Sequence, residues 1–110
     1  MASKGAKATS AGKDAAAATV TVLEPIGVTS RSMFGGHGIF REDVMFAIVH
    51  SDGRLFLRAD TSTARAFETA GSTKHERMPY WEVPESVRTD PEQLMNWAAT
   101  AADVATEAKR

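Results

Sequence analysis

Between Arg31 and Asp60 the chain reads RSMFGGHGIFREDVMFAIVHSDGRLFLRAD, short apolar runs broken by turn formers, and this stretch sets what the rest can fold into. Runs of four to eight apolar and β-branched residues bounded by such breaks form strands. Asp52-Gly53 favours the φ > 0 geometry of a two-residue type I′ hairpin turn, and Arg41-Glu42-Asp43 breaks the chain again before Val44. The pattern predicts three consecutive antiparallel strands, over 31–40, 44–50 and 54–59. The first would carry Gly35-Gly36-His37-Gly38 in its interior, where glycine marks a bulge or a close approach of two backbones. A bulge is therefore expected there, with the His37 ring exposed. A phosphate-cradling loop would end in Lys and then Ser or Thr, whereas Ile39-Phe40 follow here.

Val44–Val49 is apolar at every position, with Phe46 and Ile48 on one side and Met45, Ala47 and Val49 on the other. Two apolar faces on one central strand are hard to cover within so small a domain, so an exposed face suited to a second subunit is expected. Helices account for the remainder. Asp14 is placed to cap a helix ending near Glu24, where Pro25 discourages α geometry and Gly27 lies just beyond. Asp60 would cap Thr61 to Ala70, with Ala64, Phe67 and Ala70 inward and Gly71 closing the helix. Tyr80-Trp81-Glu82-Val83 reads as a last strand stopped by Pro84. Asp90, Pro91 and Gln93 then open a long helix through a capping box. Its apolar stripe is Leu94, Trp97, Ala98, Ala101, Ala105 and Ala108. The fold class predicted is α+β, a central antiparallel sheet with flanking helices in α-β(3)-α-β(1-2)-α order. It forms one domain over 14–110 behind a disordered tail, 1–13.

With 110 residues, 43% of them hydrophobic, the chain can build one core without staples. It has no cysteine, which excludes disulfides and thiolate chemistry. The basic excess is confined to Lys4, Lys7 and Lys13 in the tail, while the folded part is acidic. Direct nucleic-acid binding by the folded part is therefore not expected. The tail is a solubilising leader or, alternatively, an arm on nucleic acid. No run is long enough to span a membrane, and Ala15–Leu23 is followed by no small-residue cleavage site, so a cytoplasmic location is expected. His37, His50 and His75 share no helical spacing, and no serine sits in a G-x-S-x-G elbow. No catalytic, cofactor or metal residues are therefore assigned, and a non-enzyme is expected. Arg31 would pair with a carboxylate or, alternatively, contact an anion. Tyr80-Trp81 on an edge strand could anchor a partner. A small-ligand or enzyme site at the Gly35–Gly38 bulge, using Arg31 and His37, is a further alternative.

The string Arg31-Ser32-Met33-Phe34-Gly35-Gly36-His37-Gly38-Ile39-Phe40 resembles the TfoX/Sxy N-terminal domain family. So do Leu23-Glu24-Pro25-Ile26-Gly27-Val28, Val44-Met45-Phe46-Ala47, Asp52-Gly53-Arg54-Leu55-Phe56-Leu57-Arg58, Tyr80-Trp81-Glu82-Val83-Pro84, and the helix around Leu94 and Trp97-Ala98. The match covers about residues 20–108. The resemblance implies an α-β(3)-α-β(2)-α domain similar to type III secretion chaperones and often dimeric. It also implies a setting in competence gene regulation, with a transcription regulator as partner. Arg31, Met33, Phe34, Gly35, Gly36, His37, Gly38, Tyr80 and Trp81 are the motif residues and candidate partner surface. Full-length regulators carry a second, helical domain, so a shortened, stand-alone member is expected here. The short span between Gly71 and Tyr80 implies a fourth strand that is short or absent.

Overall fold

Ten elements follow one another in the computed structural model, which describes residues 10–33 and 35–110. They are helix α1 (Ser10–Val22), a 3-10 turn (Glu24–Ile26), strands β1 (Val28–Met33), β2 (Gly36–Arg41), β3 (Val44–Val49) and β4 (Leu55–Arg58), helix α2 (Ala64–Thr69), strand β5 (Tyr80–Glu82), and helices α3 (Glu85–Arg88) and α4 (Pro91–Lys109). The strands form one antiparallel sheet in the order β1-β2-β3-β4-β5. The α+β class is as expected. Phe34 and residues 1–9 of the expected tail lie outside the described residues, and residues 10–13 form the first turn of α1. Asp14 is thus inside the helix rather than at its cap.

The largest departure from the sequence reading is at 31–40. This is not one bulged strand but two strands folded back on each other, with Met33 opposite Gly36 and Gly35 in the connection at φ 79°. The bulge lies one strand further on. Ile39 pairs with Ala47 and Phe40 with Met45, which leaves Phe46 with no residue opposite. An extra residue of this kind shifts the side-chain alternation of its strand. Phe46 joins the buried helix-side core together with Ala47.

The turns also differ from expectation. The φ > 0 pair falls at Glu42 (51°) and Asp43 (68°), between the paired residues Arg41 and Val44, and makes the two-residue hairpin of primed type. At 50–54, only Gly53 is left-handed (φ 94°). His50 N–H bonds the Arg54 carbonyl and Gly53 N–H bonds the His50 carbonyl, each at 2.8 Å. This is a three-residue loop closed by a glycine bulge rather than a type I′ turn.

Helix ends follow the sequence more closely. Asp90 accepts from the backbone N–H groups of Glu92 (3.2 Å) and Gln93 (3.3 Å), and the Gln93 amide donates to its other oxygen at 3.0 Å. Those bonds, the Gln93 side-chain bond foremost, hold the Asp90 carboxyl below its ordinary value. α2 is shorter than expected because Asp60 caps a non-helical turn, accepting from Thr63 N–H at 2.8 Å. Its far end is a Schellman closure, with Ser72 N–H to Phe67 C=O and Gly71 N–H to Glu68 C=O, both 3.0 Å. Ala70 and Ala108 are exposed, whereas Ala102 is buried in the α4 stripe. Ahead of β5, Lys74 bridges Trp81, and Glu82 N–H bonds the Thr73 carbonyl at 2.9 Å. The strand expected to be short or absent between Gly71 and Tyr80 is reduced to that single bridge.

α4 crosses β3 and β4, and α1 lies on β2. Their small faces, Ala98, Ala101, Ala102 and Ala105 on α4 and Ala16 on α1, close onto Phe46, Val49, Leu55 and Leu57. Arg41 ties β2 to α4 through Asp103 at 3.0 Å. Among the described residues, every helix that packs on the sheet's centre therefore lies on one side of it.

Candidate functional site

Cross-strand rows assign the two faces. The row Ile39, Ala47, Leu57, Trp81 and the row His37, Val49, Leu55 face the helices. The row Arg31, Gly38, Ile48, Phe56, Glu82 and the row Thr29, Phe40, Met45 face the other way. On this open face Met33, Met45 and Ile48 are half-buried, and the side chain covering Phe40 is Arg31. The Arg31 guanidinium carbon stands 4.2 Å from the Phe40 ring centre and Nη2 is 3.5 Å from Asp43. Both charged side chains are largely exposed, so the ion pair contributes little and its main effect is to hold the guanidinium over the ring.

The glycines of the motif have distinct jobs. A Cβ on Gly36 would collide with the Val49 carbonyl oxygen, so this residue permits β2 to start against the end of β3. A Cβ on Gly38 would meet Met45 Sδ at 2.8 Å, Met33 Sδ at 2.9 Å and Phe40 at 3.0 Å. The empty side-chain position at Gly38 is the seat on which two thioethers converge. Beside it lies a cavity of about 300 Å³ lined by Met33, Gly36, Met45, Ile48, His75 and Met78. The Tyr80 hydroxyl donates to the Met45 carbonyl at 3.3 Å. Burial pushes the Tyr80 phenol above its ordinary value, with the charge of Arg58 drawing it partly back.

The motif residues do not converge on one point. Arg31, Met33, Gly36, Gly38 and Tyr80 share the open face. Trp81 points to the helices, where it stacks with Phe67 (ring centres 6.1 Å apart), which meets Trp97 edge-on at 5.0 Å. His37 is also on the helix face and only 9% exposed, contrary to the expected exposed ring. Its Nδ1 is buried with no hydrogen-bond partner among the described residues. Arg31 and His37 therefore lie on opposite sides of the sheet and cannot act together on one ligand. Phe40, Met45, Ile48 and Met78 complete the open face; Met45 and Ile48, expected on opposite sides of their strand, share this one because of the extra residue at Phe46.

Along β1 the four residues Thr29–Ser32 are exposed, and among the described residues the strand pairs with β2 alone. Its outer edge carries no proline and one charged residue, Arg31, the features that ordinarily block pairing with another chain being nearly absent.

Residues 22–105 match the TfoX N-terminal domain. The chain belongs to that family. It is similar to the DNA transformation protein TfoX1 of Aliivibrio fischeri, 35% identical over 74 residues. That match takes in 60% of this chain and 35% of the relative, so the chain corresponds to about a third of that protein's length. Among the described residues no helix is long and apolar enough to cross a membrane.

Proposed function

We propose that this TfoX N-terminal domain is a non-catalytic, cytoplasmic interaction module in competence-related regulation. It works as a homodimer and docks a transcription regulator through the open sheet face and the adjoining β1 edge. The observation that carries the reading is where the family motif goes. Its glycines and methionines build an apolar face that no helix covers among the described residues, joined to a strand edge left unpaired by them, and sheets so exposed are ordinarily partnered. The similarity to a DNA transformation protein supports the competence setting.

Two measurements test this. Sedimentation equilibrium should give twice the 11.8 kDa chain mass, and Met45→Glu should return the mass to one chain while keeping the unfolding transition cooperative. In the native host, disrupting the gene should lower transformation frequency, and Met45→Glu should reproduce the loss. A wild-type monomer at high concentration removes the dimer, and an unchanged transformation frequency removes the competence role.

A further inference from the structure

Three of the chain's five methionines meet at one cavity. Met33 comes from β1, Met45 from β3 and Met78 from the segment leading to β5, and all three line the same volume of about 300 Å³. Two of the sulfurs are already drawn together. Met45 Sδ and Met33 Sδ lie 2.8 and 2.9 Å from a single point, the position a Cβ on Gly38 would take. The segment that carries Met78 is held against the open face. His75 N–H bonds the Tyr80 carbonyl at 2.8 Å, Tyr80 N–H bonds the Met78 carbonyl at 2.7 Å, and the His75 ring meets Phe56 edge-on at 5.9 Å.

The donor set selects the ligand. Among the described residues no carboxylate lines this cavity, so nothing there replaces the water shell of a hard cation. His50 and His75 border it, but Nδ1 of each accepts a backbone N–H, from Asp52 at 3.4 Å and from Arg77 at 3.2 Å. A neutral ring that accepts at Nδ1 carries its proton on Nε2 and offers no lone pair there. What remains is uncharged sulfur, the donor that selects monovalent copper. The positive charges nearby are offset. Arg31 pairs with Asp43 at 3.5 Å, Arg54 with Asp52 at 2.9 Å, and Lys74 donates to the His75 and Met78 carbonyls. We propose that Met33, Met45 and Met78 form a three-thioether site for a soft monovalent cation, Cu(I). Sulfur bonds such metals at about 2.3 Å, and unbranched thioether chains close to that distance at small cost. The ion sits between the sheet and the segment leading to β5, a role beyond the docking given to the same face.

Ag(I), a soft monovalent ion that does not change oxidation state in the assay, is the first probe. It is titrated into the full chain carrying labelled methionine methyl groups, followed by NMR, with Zn(II) as the control. The methyl resonances of Met33, Met45 and Met78 should shift together and saturate at one equivalent, while that of Met95 on α4 stays in place. Cu(I), added without oxygen in competition with a coloured chelator, should bind at the same stoichiometry. Met33→Leu, Met45→Leu and Met78→Leu keep the side-chain volume, and each should weaken binding about tenfold or more. Met95→Leu and His75→Gln should leave it unchanged. If a leucine variant does not fold, the wild-type methyl titration still decides the matter. Stationary Met33, Met45 and Met78 methyls in excess Ag(I) overturn the proposal, as does a Met95 shift in parallel with them. Undiminished binding by a folded leucine variant, or Zn(II) held more tightly than Ag(I), overturns it equally.

Discussion

On the helix-bearing side of the sheet Phe46, Ala47, Val49 and Leu57 are completely withdrawn from solvent, whereas on the opposite side Phe40 and Phe56 are buried but Met33, Met45 and Ile48 remain partly exposed. The two sides also differ in kind. The covered one is packed by rings, branched chains and alanines, residues with few rotamers that fit one arrangement. The open one is built around flexible thioethers resting on Gly38, which repack at small cost. The first side specifies the fold, and the second leaves an adaptable surface on it.

Neighbouring residues of β3 give the sharpest way to break this contrast. Phe46→Ala should cost about 3–5 kcal/mol, as truncation of a sealed aromatic does, while Met45→Ala should cost roughly 1–2. Urea unfolding of both variants measures the gap. Equal losses would mean that the two sides are packed alike. The glycines offer a second contrast. Gly36→Ala should cost about 3 kcal/mol because the added methyl meets backbone, and Gly38→Ala under about 1 because two thioethers can swing aside. A smaller difference comes from the hydroxyl of Tyr80, where Tyr80→Phe should cost about 1 kcal/mol at neutral pH. Because burial raises the folded phenol above its unfolded value of 10.0, the unfolded chain ionises first as pH rises. Wild-type stability should therefore fall as pH climbs past 10.0, and the Tyr80→Phe variant should lack that part of the decline.

How far the sequence disclosed this arrangement depends on what kind of signal each part carries. The α4 start was legible because capping is local, and Asp90, Pro91 and Gln93 state it within four residues. The α+β class followed from breaks at 41–43 and 52–53, although the primed turn expected at 52–53 forms at 42–43, since Glu42 and Asp43 adopt left-handed geometry with no glycine to announce it. The hairpin between β1 and β2 was hidden because β1, VTSRSM, has no buried face and hence no alternation to read. The bulge at Phe46 was invisible because an apolar run looks the same with or without an extra residue. With the register of β2 unknown, the side taken by His37 could not be derived. α3 went unread, its four residues being too few for a period to show. Of the candidate surface, the identity of the motif was legible, but its division between two sides of a sheet was a property of pairing alone.

Both tryptophans, Trp81 and Trp97, meet the same ring of Phe67 on the helix side. Intrinsic fluorescence of this protein is therefore a one-sided gauge. It will follow melting of the α2–α4 contacts closely, yet a companion molecule settling on the methionine side can do so without altering the emission.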